Sequence, residues 1–511
     1  MRAIGIDYGT TTSWIAVQGA KELSSLKSAC CILLNGQIEF GQRAYNNRAK
    51  GTFIRSPKTF IAKRAWQNFR DEYSYELNDI IEEFSQKLLV EGCCHLENNK
   101  NVQEGTPIHV TVTIPNCYDG AQMKYMRDCF EKVLRNRFKD RFKLHLLPEP
   151  IAAALYYVLG ENKAMNYGHV LVCDMGGGTT DLALIKFYKD NSSIKFEVVA
   201  TTADATLGGD ALDNELFNRA QRDWRVSAKE LDDANAALQK ITEAKEILST
   251  QESCPVSVDD TSGLSRICFV SSSHIRQYWE NNETDLGRRL LDCMSGLKAS
   301  VAMKFPNFNW ADTVILPVGG SMKIPSLRDR LQGYFGGQLF NMRHAEKGDS
   351  YDSVVLGAML HSAIHSGSIS EISNSGISNV EVVGRTLFPI SIETINGRLT
   401  PIVGANMPDG DYENNQLRPL KIEDDGTFRI GQLKFYYSDA SSITEIEAPF
   451  TLNVEGVFQA NGRASDEIEI QVKLTIKESQ PTKARVIISN INSKVKYYDK
   501  TFELTQKWEN N

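Results

Sequence analysis

The sequence contains no long apolar run, no excess of basic residues and no cysteines spaced as paired zinc ligands. No stretch approaches the roughly eighteen consecutive apolar residues of a membrane-spanning helix. The 57 lysines and arginines are outnumbered by 64 aspartates and glutamates, which gives a net charge of −7, whereas a dedicated nucleic-acid surface is normally basic. The opening "MRAIGIDYG" lacks a charged-then-apolar leader with a cleavage site. We therefore expect a cytoplasmic protein without nucleic-acid or membrane partners.

The composition is that of an ordinary soluble protein, with 41% hydrophobic and 24% charged residues in 511. A chain of this length forms two to four domains, each with its own core. Two adjacent cysteine pairs, Cys30 with Cys31 and Cys93 with Cys94, do not form a CxxC set with zinc-ligand spacing. Reduced, mostly structural thiols in a cytoplasm fit this pattern best.

The most informative stretch is "DMGGGTTD", Asp174 to Asp181, which follows the apolar run "HVLVC". Glycines after a strand let the backbone turn sharply and bring its N–H groups close to a ligand such as phosphate. The two aspartates would repel a bare phosphate, so the pattern predicts a hydrated Mg²⁺ between them and hence a Mg-nucleotide. A glycine-rich hairpin turn without a ligand is the alternative interpretation of this loop alone.

The N-terminus repeats the same order of strand, Gly/Thr turn and strand in "AIGID", "YGTTTS" and "WIAV". Asp7 and Asp174 occupy equivalent places, which predicts two related lobes that face one another. A third glycine turn occurs in "TVILPVGGSMKIPSLRDRL", where Gly319 and Gly320 precede a predicted helix with Pro325 near its start. Such a turn presents backbone N–H groups and a helix dipole to a ligand.

Helical segments alternate with strands in the first 365 residues. Residues 119–138 form a predicted helix with a core-facing Met and aromatic stripe, preceded by the strand "IHVTVTIP", and a second helical block covers 210–249. Residues 366–379 hold six serines and two glycines, a composition typical of a linker. Beyond it, "FPISIET" and "EIEIQVKLTIK" alternate with period two and predict half-buried antiparallel strands.

Three stretches in order, "GIDYGTTTS", "VCDMGGGTTD" and "VILPVGGSMKIP", resemble the signatures of the seventy-kilodalton heat-shock chaperones, the DnaK-type family. The segments "TIPNCYDGAQ", "LPEPIAAAL" and "TLGGDALDNEL" occupy matching places between them. The resemblance covers nearly all of residues 1–365 and, more loosely, the β-rich tail. It implies an α/β chain in which a two-lobed actin-like ATPase fold is followed by an antiparallel β-sandwich domain.

The resemblance implies three regions: a nucleotide-binding domain in 1–365 with its second lobe from about 168, a Ser/Gly-rich linker in 366–385, and a β-rich, peptide-binding-like domain in 386–511. It implies ATP or ADP with Mg²⁺ in the interlobe cleft, and unfolded or extended polypeptide on the β domain. A J-domain co-chaperone and a nucleotide-exchange factor are partners implied by the resemblance alone.

The resemblance also implies the site residues. The catalytic residues that it implies are Lys58, Glu149, Asp174 and Thr179. The residues that it implies hold the metal, mainly through water molecules, are Asp7, Asp174 and Asp181. The residues implied to contact the nucleotide are Gly9, Thr10, Thr11, Gly176, Gly177, Gly178, Thr179, Gly208, Gly209, Lys245, Ser249, Gly319, Gly320, Ser321 and Lys323. Lys58 would neutralise charge near the γ-phosphate and orient the attacking water.

Several of these residues keep a second interpretation. Lys58 lies near three other cations, a pattern also typical of a solvated face, and Glu149 is also compatible with a loop carboxylate between two prolines. Lys245 and Ser249 fall one helical turn apart, either towards a ribose and base or on an exposed polar face. Pro115 resembles the family's proposed switch proline, and it also simply ends a strand.

Some positions depart from the family pattern. Thr12 and Thr180 replace the usual asparagine and phenylalanine, and near the nucleoside Thr242 and Glu246 replace a glutamate and a base-stacking arginine. The segment "KGDSYDSVVLGA" lacks the usual "NPDEAVA", the predicted linker has only "VEVV" of the apolar docking sequence, and no helical lid follows the β strands. Nucleoside affinity, interdomain coupling and peptide exchange are therefore expected to differ from those of typical members.

Three functions compete at this point. The first is a slow ATPase whose nucleotide state controls polypeptide binding, a divergent chaperone without a lid. The second is a nucleotide-gated protein-interaction module with little turnover, which the altered linker and the missing lid favour. The third is a small-molecule kinase on the same actin-like fold, which would leave the appended β domain unexplained.

Overall fold

The computed structural model describes residues 3–20, 22–93, 107–116, 118, 120–161, 165–340, 352–371, 377–383, 390–394, 398–404, 407, 410–417, 423, 425–436, 450–459, 468–477 and 480–504. The chain divides into an N-terminal unit of residues 1–118 and 122–380 and a C-terminal unit of residues 381–511 with 119–121. Within the described ranges, no helix has the length and apolar character needed to cross a membrane.

The first lobe of the N-terminal unit is built on two sheets. Its strands are β1 (Ala3–Asp7), β2 (Thr12–Val17), β3 (Ser24–Lys27), β4 (Cys30–Leu33), β5 (Ile38–Phe40), β6 (Gly51–Ile54), β7 (Ile108–Ile114) and β8 (Phe142–Pro148). The larger sheet has the order β3-β2-β1-β7-β8, and the smaller has the order β5-β4-β6. In the larger sheet β1 is antiparallel to β2 and parallel to β7.

Five helices cover these sheets: α1 (Gln42–Asn46), α2 (Lys58–Ala62), α3 (Trp66–Tyr73), α4 (Leu77–Cys93) and α5 (Gly120–Phe138). The predicted helix over 119–138 is confirmed as α5, where Met126, Phe130 and Leu134 are fully buried. Their spacing of four residues places them on one face, towards the core that also contains Ile4 and Val110 of the sheet. The stripe is therefore a core feature, as the sequence predicts.

The second lobe repeats this plan. Its strands are β9 (Tyr167–Met175), β10 (Thr180–Lys189), β11 (Ser193–Asp204), β12 (Ser253–Asp259), β13 (Ser265–Ser271), β14 (Thr313–Val318) and β15 (Gln338–Leu339), and β16 (Asn379–Val383) completes the sheet order β15-β14-β9-β10-β11-β16. Its helices are α7 (Gly209–Trp224), α8 (Ala234–Ile247), α9 (Ser272–Glu280), α10 (Asp285–Lys304) and α11 (Pro325–Phe335). The predicted block at 210–249 is thus two helices.

The strand order confirms the internal repeat. The antiparallel hairpin β1-β2 continues through β1 into parallel β7 and β8, and the hairpin β9-β10 continues through β9 into parallel β14 and β15. Asp7 ends β1, and Asp174 lies one residue before the end of β9. Each lobe has a separate hydrophobic core. The two aspartates therefore hold equivalent places at the carboxyl ends of equivalent strands.

Two further helices, α6 (Glu149–Tyr156) and α12 (Asp352–His365), pack closely against each other, and α12 also packs against β1. A Cβ atom added to Gly357 of α12 would collide with the carbonyl oxygen of Ala152 in α6. A Cβ atom added to Gly5 of β1 would collide with the backbone of α12 at Val355 and Met359. Glycine at these two positions lets α12 lie directly on the elements that carry Asp7 and Glu149.

Four histidines form one cluster in the first lobe, here called the imidazole cluster: His109 of β7, His145 of β8, and His361 and His365 of α12. The ring nitrogens of His109 and His145 lie 3.0 Å apart, and those of His361 and His365 lie 3.1 Å apart. The rings of His145 and His365 stack with their centroids 4.5 Å apart. His361 Nδ1 is 3.0 Å from the Thr111 hydroxyl, which ties α12 to β7.

The predicted linker, 366–385, contains folded segments. A 3₁₀ helix covers Ile369–Glu371, β16 covers Asn379–Val383, and Ser368 and Ile369 are buried. The hydroxyls of Ser366 and Ser368 lie 2.7 Å apart, so these serines are satisfied within the fold. The predicted positions 372–376 and 384–385 lie outside the described residues.

The described part of the C-terminal unit contains only strands: β17 (Ile390–Glu393), β18 (Leu399–Val403), β19 (Gly410–Leu417), β20 (Thr427–Phe428), β21 (Gly431–Tyr436), β22 (Phe450–Val454), β23 (Phe458–Gln459), β24 (Ile468–Lys477), β25 (Gln480–Asn490) and β26 (Lys496–Glu503). They form sheets with the orders β18-β17-β21-β22, β19-β24-β25-β26 and β20-β23. Both four-stranded sheets contribute to one hydrophobic core, with Phe435 from one and Leu474 from the other.

The period-two prediction is confirmed for β24, whose buried residues are Ile468, Ile470, Val472, Leu474 and Ile476. It fails for "FPISIET", because Ser391 of β17 is as fully buried as Ile390 and Ile392. β17 lies between β18 and β21, so neighbouring strands flank it on both edges. Phe388 of the same predicted strand lies outside the described residues.

Candidate functional site

A cavity opens between the two lobes of the N-terminal unit, where all three glycine turns meet. The predicted site residues that line it are Asp7, Gly9, Thr10, Thr11, Lys58, Glu149, Asp174, Gly176, Gly177, Thr179, Gly209, Lys245, Ser249, Gly319, Gly320, Ser321 and Lys323. Gly178, Asp181 and Gly208 are not part of the lining. Gly178 and Gly208 pack directly behind it, against Thr10 and Gly177, and Asp181 is paired with Asp174 in the β9-β10 register.

The turns of the two hairpins touch across the cleft. A Cβ atom added to Gly177 would collide with the hydroxyl oxygen of Thr11, and one added to Gly178 would lie 2.9 Å from Cγ2 of Thr10. At these two positions glycine leaves room for the threonine side chains of the opposite turn, which occupy the space that a Cβ atom would fill. The contact brings two threonine hydroxyls of the first lobe directly against the glycine backbone of the second.

The remaining glycine turns hold the "DMGGGTTD" loop in place. The Ser321 hydroxyl and the Gly209 N–H both donate to the Gly176 carbonyl, at 2.8 and 3.0 Å. Gly319 has φ of 85°, a left-handed conformation, and a Cβ atom there would lie 2.7 Å from Asp174 Oδ1. A short 3₁₀ helix, Gly320–Lys323, follows this turn, and α11 begins at Pro325, which confirms the predicted helix with a proline near its start.

Lys58 and Glu149 form a buried ion pair in the cleft. Their Nζ and Oε1 atoms are 3.1 Å apart, and the residues are 4% and 7% exposed. Lys58 begins α2 and Glu149 begins α6, so neither a solvated face nor a loop carboxylate describes them. Both residues therefore lie buried in the lining of the cleft, and their catalytic roles stay a prediction.

Negative charge accumulates around this pair. Burial and the neighbouring Glu149 raise the pKa of Asp7 to about 7, although Lys58 and a 3.1 Å hydrogen bond from Thr113 oppose the shift. Burial, with the nearby carboxylates, raises the pKa of Asp174 well above its usual range. For Lys58, burial lowers the pKa, but the carboxylates outweigh it and the net shift is upward. Four carboxylates, counting Asp181, therefore face one ammonium group.

Such an excess of carboxylate oxygens fits a hard divalent cation such as Mg²⁺. Across the described residues, no three acidic, histidine or cysteine side chains surround one point at ligating distance. A cation here would therefore be held chiefly through its own water molecules, which is the arrangement expected from the sequence.

A protein-family model described as Hsp70 protein matches residues 99–415, more than half of the chain. The chain belongs to the Hsp70 family. The duplicated α/β lobes described above agree with the actin-like ATPase fold that this family implies. The matched range contains Glu149 and the second and third glycine turns, whereas the first hairpin and Lys58 precede it.

Three curated relatives are similar to the chain at low identity. A Chaperone protein HscA homolog of Shewanella loihica is 28% identical over 301 residues, 58% of this chain and 43% of the relative. One of Shewanella sediminis is 27% identical over 331 residues, 63% of this chain and 46% of the relative. The Chaperone protein DnaK of Mycoplasmopsis agalactiae is 24% identical over 542 residues, 99% of this chain and 83% of the relative. The chain spans less than half the length of the two HscA relatives.

The departures from the Hsp70 pattern have local explanations in the structure. The hydroxyl of Thr180 donates to the carbonyl of Leu207 at 2.7 Å, where the fully buried side chain ties β10 to the turn before α7. Thr242 donates to Asp213 Oδ2 at 2.9 Å. Glu246 lines the same cavity on the exposed side of α8, so an acidic group stands where a base-stacking arginine is common.

The nucleoside side of this Hsp70 site needs one correction. Lys245 lies in α8, but the helix ends at Ile247, so Ser249 is not on the same helical face. The Ser249 hydroxyl donates to the Glu246 carbonyl at 2.7 Å, a bond that closes the helix end. Lys245 is engaged by Asp213 at 2.7 Å rather than displayed on an exposed face. Both residues still line the cavity.

Two residues of the cleft were missed by sequence reasoning. They are Arg55, one of the three cations near Lys58 in the sequence, and Asp213 of α7, and Arg55 Nη2 lies 2.7 Å from Asp213 Oδ2. The partners are 158 positions apart, and no spacing rule connects them.

Pro115 follows the last residue of β7, as the strand-ending interpretation requires, and its switch role remains a prediction.

Proposed function

We propose that this Hsp70 family member binds and slowly hydrolyses Mg-ATP in the interlobe cleft and thereby controls polypeptide binding by its β-rich C-terminal region. The observation that carries the proposal is the meeting of the two facing glycine turns with the buried Lys58–Glu149 pair in one cavity. The relatives named as chaperones support the same role.

The phosphates would be bound by the three glycine turns. The side chains of Thr10 and Thr11 lie against Gly178 and Gly177 of the opposite loop, so one phosphate chain would contact both lobes. A cation held through its waters by Asp7, Asp174 and Asp181 would neutralise phosphate charge and polarise the transferring group. Thr179 would hydrogen-bond the γ-phosphate or the attacking water.

Little covalent chemistry is required of the protein, because phosphoryl transfer to water depends mostly on positioning and charge stabilisation. Lys58 holds its ammonium group fixed between Glu149 and the aspartates, so no reorganisation is needed as negative charge develops. Glu149 keeps this group oriented and helps to order the waters of the cation.

We assign the polypeptide site to the predicted β-sandwich domain, residues 386–511, whose described strands form two antiparallel four-stranded sheets with a shared core. Unfolded or extended polypeptide, a J-domain co-chaperone and a nucleotide-exchange factor are the proposed partners. We also infer a cytoplasmic location, since every cysteine in the described ranges is a free thiol.

Single-turnover ATP hydrolysis with Mg²⁺ tests the proposal, with and without an excess of extended hydrophobic peptide, in the intact chain and in Lys58→Ala. We expect slow hydrolysis that peptide accelerates and that Lys58→Ala reduces by about a hundredfold or more. Lys63→Ala is the matched control, because Lys63 is exposed at the end of the same short helix, and it should leave the rate unchanged.

Hydrolysis or tight binding that ignores peptide would instead support a nucleotide-gated interaction module. Absence of nucleotide binding would contradict both functions.

A further inference from the structure

The imidazole cluster contains four of the chain's eight histidines, and none of these four lines the proposed nucleotide cavity. Two of them, His361 and His365, lie one turn apart on α12, and the other two come from the adjacent strands β7 and β8. The His361 residue is 7% exposed, whereas His365 is exposed. A small solute can therefore reach the α12 pair from the side of His365.

A chain of hydroxyl groups fixes which nitrogen of neutral His361 carries the proton. The Ser362 hydroxyl donates to the carbonyl of Ile4 at 2.8 Å, which uses its only hydrogen. The Thr111 hydroxyl lies 2.7 Å from Ser362 Oγ and must therefore donate to it. Thr111 Oγ1 can then only accept from His361 Nδ1, at 3.0 Å. His361 thus carries its proton on Nδ1 and presents a lone pair on Nε2.

The second nitrogen of a chelating pair lies beside this lone pair. The Nε2 atoms of His361 and His365 are 3.1 Å apart. Two nitrogens that bind one metal ion at about 2.0–2.1 Å lie roughly 3.0–3.4 Å apart, for bond angles of about 95–110°. Without a metal ion, a proton on His365 Nε2 occupies this place, and in an exposed ring it can move to Nδ1 through solvent. The pair therefore has the spacing of a chelate without any movement of α12.

The surroundings of the cluster favour a metal ion that prefers nitrogen ligands. Burial lowers the pKa of all four imidazoles, so the rings are neutral at pH 7 and few protons compete for their lone pairs. The charged groups that act on the rings are the cations Lys143 and Arg127. Mg²⁺, which prefers carboxylate oxygens, gains nothing here, whereas imidazole nitrogens suit Zn²⁺, Cu²⁺ and Ni²⁺.

We propose that His361 and His365 chelate a divalent transition metal ion such as Zn²⁺. Water molecules complete the coordination, since within the described ranges no third acidic, histidine or cysteine side chain reaches the same point. Thr111 is a positioning residue, because it holds the His361 ring in the tautomer that binds a metal ion. The inference does not depend on the proposed nucleotide binding.

Zn²⁺ binding to the intact chain tests the site. Equilibrium dialysis is done in excess Mg²⁺, so that the carboxylates of the nucleotide cleft do not take up Zn²⁺. We expect one bound Zn²⁺ whose affinity falls by about tenfold or more in His361→Asn, in His365→Asn and in Thr111→Val, which keeps the shape of the side chain but removes the hydroxyl. The matched control is His274→Asn in α9, outside the cluster, which should bind Zn²⁺ as the wild type does.

Urea denaturation with and without Zn²⁺ gives a second measurement. Each variant is compared with its own metal-free form, so a variant that is merely less stable does not confuse the result. A ligand that binds the folded chain raises the midpoint, and we expect this rise in the wild type and in His274→Asn but not in His365→Asn. Equal Zn²⁺ binding by all variants, as thiols such as Cys254 would give, would overturn the site. A wild type whose midpoint does not respond to Zn²⁺ would overturn it too.

Discussion

At Gly177 the lack of a side chain decides how closely the two lobes approach. The hydroxyl of Thr11 occupies the place of its Cβ atom, whereas a Cβ atom on the adjacent Gly176 would meet nothing within 4 Å. An alanine methyl group would therefore collide with Thr11 at Gly177 and fit without a contact at Gly176.

We predict that Gly177→Ala lowers the free energy of unfolding by about 1–3 kcal/mol, because the Thr11 side chain must leave its place against the loop. Gly176→Ala is the control within the same loop and should stay within about 0.5 kcal/mol of the wild type. Urea denaturation of both variants measures the difference. Equal stabilities would show that the turns do not touch as described.

The cleft also shows which residue roles the sequence could predict. The glycine turns were predicted from their strand-turn-strand pattern, whereas Lys58 and Glu149 were assigned only through the resemblance to the family. The Arg55–Asp213 contact was not predicted, because it joins side chains from different lobes and depends on how α7 and α8 pack. Ser249 lines the cavity with Lys245, but it lies beyond the predicted helical turn, because α8 ends two residues before it.

Helix α12 fits closely against α6, because Gly357 lies against the backbone of α6 at Ala152. Backbone atoms cannot give way as a flexible side chain can. By contrast, a Cβ atom on Gly333 in α11 would meet nothing within 4 Å. Two glycines inside helices are thus present for different reasons.

We predict that Gly357→Ala destabilises the chain by about 3 kcal/mol, because α12 must move away from α6. Gly333→Ala should instead stabilise it by about 0.5–1 kcal/mol, since alanine favours a helix over glycine. Thermal or urea denaturation of the two variants tests the opposite signs. A stabilising Gly357→Ala would contradict the packing of α12.

At the level of elements, periodicity was a good guide where one face of a strand or helix is solvated, as in α5 and β24. It failed for Ser391 in β17, because burial on both faces removes the alternation. The serine-rich composition predicted a linker over 366–385, where the structure has β16 and a 3₁₀ helix. Composition alone does not distinguish packed serines from serines in a linker.

The stability of the whole folded molecule should depend on pH through the imidazole cluster. Burial lowers the pKa of His109 to about 4 and that of His145 to about 3, and it lowers the pKa of His361 well below its usual range. The charged groups that face the cluster, Lys143 of β8 and Arg127 of α5, are cations, so the shifts are all downward.

A histidine whose folded pKa is lowered takes up its proton more readily when the chain is unfolded. Stability is therefore retained above pH of about 6.5 and is lost as the pH falls towards about 4, at about 1.4 kcal/mol per pH unit for each such buried group. In His361→Asn, the slope of unfolding free energy against pH should be smaller by about 1.4 kcal/mol per pH unit, because one buried histidine is removed. Urea denaturation from pH 7.5 to 5 measures both slopes, and equal slopes would contradict the prediction.

The repeated hairpins carry one asymmetry with a consequence for the orientation of a bound ligand. Directly opposite Asp7 on β2 stands Trp14, whereas directly opposite Asp174 on β10 stands Asp181. Opposed residues of an antiparallel pair share a face of the sheet. At this pair of positions the hairpin of the first lobe therefore carries one carboxylate, and the hairpin of the second lobe carries two. The two hairpins differ in charge where they face one another, and an elongated anion with its counter-cation should prefer one of its two possible directions.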